Sequence, residues 1–308
     1  MSYTRRAFLE LGAAAGASLL LGAREVHAQS ELVTKPIASS GERIPVVGVG
    51  TNRYRYRSGD AAYVARLGET LKAFARLGGK VVDTAPSYGD SEGVIGGILR
   101  ESGLRERLFL ATKVDREGVA AGRARIEDSF RTLGVSRMDL FQVHNLRDAA
   151  QQLGTLRELK AAGRIRYLGV TTSSESQYQE LEAVMRREKL DFVQVDYAVG
   201  NRGAGARILP LAAERGMAVL VNLPFGRGAQ FRAVGARPLP GWAAEIGCTS
   251  WAQVFLKYVV SHPAVTCAIP GTTQVAHAED NLGAARGRLP DAALRRTIEQ
   301  YFDGIADG

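Results

Sequence analysis

Four side chains in the first half of the chain have the types needed to hand a proton to an oxygen: Asp83, Tyr88, Lys113 and His144. A lone tyrosine has a pKa near ~10 and rarely gives up its proton at neutral pH. A nearby ammonium stabilises phenolate and lowers that pKa, so Lys113 beside Tyr88 would make a usable acid. Asp83 would hold Lys113 in place and keep it charged. His144 would hydrogen-bond a substrate oxygen and orient it. Such a set suits protonation of a carbonyl oxygen as that oxygen gains negative charge. Taken singly, each residue has an ordinary explanation: a strand-end Asp or Lys caps a helix or is solvated, and a lone His is structural. The functional reading requires the fold to bring all four to one place.

The hydrophobic pattern predicts such a fold. From Arg43 onward, short β-rich apolar runs alternate with longer stretches of helical spacing. The predicted strands are residues 45–50, 80–85, 108–113, 139–144, 165–170, 191–196, 217–222 and 264–269. Between them lie amphipathic segments such as RIEDSFRTLGV, which puts Ile126, Phe130 and Leu133 on one face. Parallel strands need long crossovers, usually helical. Eight strand–helix units over about 250 residues therefore predict an α/β fold, the (β/α)8 TIM barrel. An open doubly wound sheet is the alternative, and no G-x-G-x-x-G follows the first strand to support it. Residues 31–47 read as a short N-terminal β-hairpin closing the bottom of the barrel. Residues 223–247 read as a long irregular loop after strand seven, on the face where barrel enzymes work. In this frame Asp83 ends strand two, Tyr88 follows it, Lys113 closes strand three and His144 closes strand four.

The rest of the composition narrows the function classes. The 308 residues carry a formal charge of +8, spread as single arginines. A basic cleft for an anionic ligand is one reading and a solvated surface the other. Nucleic-acid binding is disfavoured, because outside the five residues 53–57 basic and aromatic residues do not interleave along the chain. Cys248 and Cys267 read as buried small residues rather than a disulfide, and no Cys/His spacing suggests a metal. Near the start, Arg5 and Arg6 precede Phe8 and Leu9, and residues 11–23 are uncharged and mostly apolar. Val26-His27-Ala28 offers small residues for cleavage, so residues 1–28 read as a signal peptide of the twin-arginine type. The run is too short for a stable membrane span, which needs ~20 apolar residues. The expectation is a mature domain of residues 29–308, exported to the periplasm or beyond by the twin-arginine machinery.

Several blocks together resemble the aldo-keto reductases: VVDTAPSYGDSEGVIGGIL (81–99), ATKV (111–114), MDLFQVHN (138–145), LGVTTSS (168–174) and IPGTTQVAHAEDNL (269–282). The likeness runs from about Ile44 to Asn281, and the family fold is the barrel that periodicity predicts. The resemblance implies interconversion of carbonyls (aldehydes, ketones or sugars) and alcohols with NADP(H) or NAD(H) and no metal. It implies Tyr88 as general acid, Lys113 and Asp83 tuning it, and His144 placing the carbonyl. Gln194 matches a contact to the nicotinamide amide. Thr171 and Thr172 stand at a Ser-Asn pair, so Thr172 lacks the amide of Asn. Pro224, Phe225 and Gly226 match a pyrophosphate loop to which Arg227 adds charge. Asn222 stands where many members place a Tyr that stacks on the nicotinamide.

Pro270, Gly271 and Thr272 open the last cofactor segment, with the Thr272 hydroxyl near a helix start where anions are favoured. Asp280 and Asn281 match adenine contacts. Gly271 and His277 replace a Lys and an Arg that grip the 2′-phosphate of NADPH, which leaves the choice of cofactor open. A non-enzymatic nucleotide-sensing barrel, acting as a regulatory subunit, is the competing reading. Export supplies its own logic: a dinucleotide is not freely available outside the cytoplasm, so an exported enzyme must leave already folded around its cofactor. For the substrate pocket, residues 53–57 alternate Arg and Tyr in a loop at the barrel mouth and read as a solvated loop or a polar substrate contact. The chain stops soon after its last predicted helix, which reads against a bulky, steroid-sized substrate.

Overall fold

The computed structural model describes residues 31–55 and 60–306, so the signal segment 1–28 and residues Tyr56 and Arg57 lie outside the described residues. A hairpin of β1 (Thr34–Pro36) and β2 (Arg43–Pro45) comes first, with Thr34 opposite Pro45. Strand and helix then alternate: β3 (Val49–Gly50), α1 (Ala61–Arg76), β4 (Val81–Asp83), α2 (Ser91–Ser102), β5 (Phe109–Val114), α3 (Val119–Leu133), β6 (Met138–His144) and α4 (Ala149–Ala161). The second half continues with β7 (Ile165–Thr171), α5 (Tyr178–Arg187), β8 (Phe192–Asp196), α6 (Gly203–Glu214), β9 (Ala218–Asn222), α7 (Ala229–Val234), α8 (Gly241–Glu245), α9 (Trp251–Val260), β10 (Cys267–Ala268), α10 (Val275–Gly283) and α11 (Ala292–Ala306). Strands β3 to β10 pair in chain order, all parallel. The ends of this sheet meet, since Gly48 N–H donates to Ala268 O at 2.8 Å and Gly50 N–H to Pro270 O at 3.0 Å. Gly50 permits that approach: a Cβ there would sit 2.9 Å from Ile269 O. The architecture is the (β/α)8 barrel with its N-terminal hairpin.

Local sequence explains the elements. Asp60 caps α1 by accepting from Tyr63 N at 2.8 Å. In α3 the predicted stripe Ile126, Phe130 and Leu133 is buried, and Gly134 ends the helix at φ +68°. Inside the barrel the period of two is visible as columns. Val81, Phe109, Ala111, Leu140, Tyr167, Phe192, Ala218, Leu220, Cys267 and Ile269 form one apolar cluster. Ile37 and Ile44 of the hairpin segment join it, which plugs the bottom of the barrel. Two residues further along the same columns, or four in β7, the interior turns polar: Asp83, Lys113, Gln142, Thr171 and Gln194 are all buried.

Three expectations need correction. Residues 223–247 are not irregular throughout, because they carry α7 and α8; Phe231 of α7 packs edge-on against Phe225 and Phe255. The predicted strand 45–50 is split: Pro45 pairs in the hairpin, and only Val49–Gly50 form the barrel strand. Tyr54 is fully buried in the outer core rather than facing substrate at the mouth. The cysteines are both free and buried, Cys267 inside the barrel and Cys248 in the outer core.

Candidate active site

The four predicted residues meet at the carboxyl ends of three consecutive strands. Lys113 and Asp83 are adjacent in the buried interior, with Lys113 Nζ donating to Asp83 Oδ2 at 2.7 Å and to Thr84 O at 2.7 Å. Lys113 is 1 % exposed and Asp83 2 %, so this pair sits in protein rather than solvent. Lys113 Nζ lies 5.2 Å from the centre of the Tyr88 ring. His144 meets Tyr88 edge to face at 6.1 Å. A hydroxyl network holds the Asp83 backbone from outside: the hydroxyl of Thr51 donates to Asp83 O at 2.9 Å, and Ser91 Oγ lies 3.0 Å from both Thr51 Oγ1 and Thr84 Oγ1.

The electrostatics differ from the sequence expectation at one point. Burial pushes the Tyr88 phenol above its ordinary value, and Lys113 only partly offsets this, with Asp83 adding to the rise. Desolvation outweighs the ammonium because Lys113 is itself neutralised by Asp83. Tyr88 therefore keeps its proton at neutral pH, which is the state a proton donor needs. For Lys113, burial works against its charge, but Asp83 and Tyr88 outweigh it and hold the ammonium above its usual range.

His144 is pushed down to about 4, by burial first and then by the charge of Lys113, with Asp115 acting in the opposite sense. Its ring is thus neutral at pH 7, and Ser87 Oγ lies 3.3 Å from Nδ1. The folded protein disfavours the protonated ring. Its stabilising contribution is full above the unfolded value of 6.5 and is lost as pH falls from there toward about 4. The same shift predicts that kcat/KM for carbonyl reduction shows no ionisation near about pH 6.5, the ordinary histidine value. A pH profile with an acid limb centred there would contradict a neutral His144.

A cleft of about 630 Å³ opens beside this group, lined by Asp83 and Tyr88 and running past Asn222, Pro224, Phe225, Arg227, Gly271 and Thr272 to His277. Seven of the fourteen predicted cofactor residues therefore share one groove. Its backbone is unusual where β9 ends: Leu223 (φ +49°) and Arg227 (φ +53°) are left-handed without being glycine, alongside Gly226 and Gly228. Such conformations persist only where surroundings enforce them, and they turn successive N–H groups into an anion-binding concavity. Gln194 Oε1 and Asn222 Oδ1 are buried with no hydrogen-bond partner among the described residues. Two orphaned acceptors at neighbouring strand ends fit a ligand that brings N–H donors, as a nicotinamide carboxamide does. Arg53 and Arg227 line the groove as cations available to phosphate, and His277 lines it as well.

Other predicted residues are placed differently. The Thr172 hydroxyl donates to Gln177 Oε1 at 2.5 Å, and its carbonyl accepts from Asn222 Nδ2 at 3.0 Å. Thr171 is buried at the end of β7, and Pro270 carries the carbonyl that closes the barrel. Asp280 lies on α10 with its carboxylate taken by Ser250 Oγ at 2.8 Å and Gln253 Nε2 at 2.7 Å. Asn281 is buried on the same helix. The sequence reading missed Gln142, whose Nε2 lies 3.4 Å from Asp83 Oδ1 and whose Oε1 is unpartnered among the described residues. Its signal was present: it stands two residues before His144 on the same strand, and so shares the barrel interior.

A parallel barrel with a buried carboxylate–ammonium–phenol set beside a dinucleotide-sized groove defines an oxidoreductase of the nicotinamide-dependent class. The chain matches the aldo/keto reductase family model over residues 46–299, and it belongs to that family. It is 30% identical over 275 residues to the methylglyoxal reductase YeaE of Escherichia coli K12, an alignment covering 87% of this chain and 95% of that one. The aldo-keto reductase str7 of Strobilurus tenacellus is 27% identical over 71% of this chain and 76% of its own. Among solved structures, an aldo-keto reductase from Klebsiella pneumoniae in complex with NADPH superimposes with a TM-score of 0.73 at 26% identity, covering 88% of this chain and 95% of that one.

Proposed function

We propose that this chain reduces a carbonyl compound to an alcohol with a nicotinamide cofactor, and runs the reverse reaction when the cofactor is oxidised. The observation that carries the reading is the buried Lys113–Asp83 pair, 2.7 Å apart, beneath a protonated Tyr88 at the edge of the groove. When bound, the cofactor supplies the hydride. Tyr88 donates its phenolic proton to the carbonyl oxygen as that oxygen gains charge. Lys113 stabilises the phenolate left behind, and Asp83 keeps Lys113 charged and fixed. Neutral His144 orients the carbonyl oxygen by hydrogen bonding. The carbonyl must reach Tyr88, which lines the groove, so the substrate enters at the Tyr88 end of that groove. Because the Escherichia coli relative is named a methylglyoxal reductase, methylglyoxal is the first substrate to try, followed by aldehydes, ketones and sugars. Consumption of NADPH, followed by loss of its absorbance, tests the reading. Bound nucleotide with no turnover across that panel would instead support a sensing barrel, a role that the intact tetrad does not favour.

The choice of cofactor follows from the groove. A 2′-phosphate is best gripped by a bidentate guanidinium, whereas Gly271 and His277 stand at the two positions where the family resemblance would put cations. Arg286 donates to Leu77 O at 3.2 Å and does not line the groove. Discrimination between NADPH and NADH should therefore be weak. His277→Arg should raise the NADPH preference by about tenfold, the worth of one good charge-assisted bond. The ratio of the two dissociation constants measures it, and an unchanged ratio would place the 2′-phosphate elsewhere.

Export is part of the same proposal. The twin-arginine segment, residues 1–28, would direct the folded holoenzyme out of the cytoplasm with its cofactor inside. No helix among the described residues is long and apolar enough to cross a membrane. Arg5→Lys with Arg6→Lys keeps the charge but removes the guanidinium pair. The precursor should then accumulate in the cytoplasm, as fractionation would show, and undiminished delivery would point to another route.

A further inference from the structure

We propose that Gln177 is a positioning residue that ties the floor of the cofactor groove to the backbone carrying His144. This inference extends the proposed reaction and rests on that reading only for its kinetic readout. Gln177 closes a short 3-10 turn after β7 and belongs to no barrel strand. Its amide bridges two loops: Nε2 donates to Asn145 O at 3.1 Å, and Oε1 accepts from Thr172 Oγ1 at 2.5 Å. A carbonyl only accepts, so the NH₂ must face Asn145, and that in turn aims Oε1 at the threonine hydroxyl.

Both ends of the bridge matter. Thr172 is fully buried, its N–H donates to Gln194 O at 3.0 Å, and its carbonyl accepts from Asn222 Nδ2. It therefore joins Gln194 and Asn222, whose buried amide oxygens both lack partners among the described residues. At the other end, Asn145 follows His144 directly. Asn145 (φ +52°), Leu146 (φ +58°) and Asp148 (φ +51°) are all left-handed, none of them glycine. Such conformations persist only when over-determined by their surroundings. Leu146 is anchored by burial at 2 % exposure, and Asp148 Oδ2 accepts from Gly118 N at 2.8 Å. The His144 carbonyl accepts from Arg147 N at 3.1 Å, and Gln177 adds a side-chain hold on the next carbonyl, that of Asn145. A group that pulls on Gln194 or Asn222 is thus felt through Thr172 and Gln177 at His144, and nucleotide occupancy sets the ring for the carbonyl.

The test uses full-length mature protein carrying Gln177→Ala or Gln177→Glu. The glutamate can still accept from Thr172 but cannot donate to Asn145 O. Thr172→Val cuts the other arm and serves if either first variant fails to fold. The readout is the imidazole NMR signal of His144, assigned with His144→Gln, before and after addition of NADP⁺. Expected are a displaced His144 signal in the nucleotide-free variants and a response to nucleotide cut by at least about half. The carbonyl KM should rise about fivefold while the nucleotide dissociation constant stays within about twofold. A His144 signal that coincides with wild type in both states overturns the proposal, whatever the kinetics. If wild-type protein bound no nucleotide, the proposed function would fall, and the nucleotide-free comparison would still decide the role of Gln177.

Discussion

Tyr88→Phe should abolish carbonyl reduction while leaving nucleotide binding nearly unchanged. The substitution removes one oxygen and its proton and keeps the ring that packs against His144 and lies near Lys113. A positioned general acid contributes about 10²–10⁴ in rate, so kcat should fall by at least that lower bound. On the proposed reading Gln194 and Asn222, not the Tyr88 hydroxyl, hold the nicotinamide, so the NADPH dissociation constant should move by less than about threefold. The variant should lose little stability, because Lys113 gives up its interaction with the phenol but keeps Asp83 Oδ2 and Thr84 O as partners. Steady-state kinetics with methylglyoxal and a fluorescence titration with NADPH measure the two sides. A kcat near wild type would remove Tyr88 from the acid role. Since burial rather than Lys113 dominates the phenol, wild-type reduction should also persist well above neutral pH, because the donor stays protonated there.

Much of this is legible in the sequence because it repeats. Eight apolar runs separated by helical spacing leave little choice but a parallel barrel, and the period of two assigns Asp83, Lys113 and His144 to strand ends. The acid strength of Tyr88 is not legible, because desolvation is a property of the assembled barrel: nothing near Tyr88 in the chain says that its hydroxyl is shielded. Tyr54 misleads for a related reason, since alternating Arg and Tyr looks like a surface loop while the backbone turns Tyr54 into the core. Helices α7 and α8 are hidden by their shortness, six and five residues between glycines and prolines. Gln177 is invisible altogether. It lies in a turn, far in sequence from Asn145, and only the closure of the barrel places its amide between two neighbouring strand ends.

Lys113→Met should be the most damaging single change, and it should act in two separable ways. It removes the charge that stabilises the phenolate, so kcat should fall by about 10² or more. It also strands Asp83, which is 2 % exposed and has Lys113 as its ion-pair partner. An uncompensated buried charge costs about 3–5 kcal/mol, which in a domain of this size lowers Tm by about 10 °C. Gln142, at 3.4 Å from the other carboxylate oxygen, is too loosely placed to offset that loss. Asp83→Asn combined with Lys113→Met removes both charges together. Replacing a buried pair by neutral groups is often close to neutral for stability, so the double variant should recover most of the lost Tm and none of the lost activity. Differential scanning calorimetry and single-turnover kinetics on the three proteins separate the effects. If the double variant were as unstable as Lys113→Met, the pair would be holding the barrel mouth by shape rather than by charge. If it regained activity, Lys113 would have no electrostatic part in the proton transfer, and Tyr88 would be acting without the ammonium beneath it.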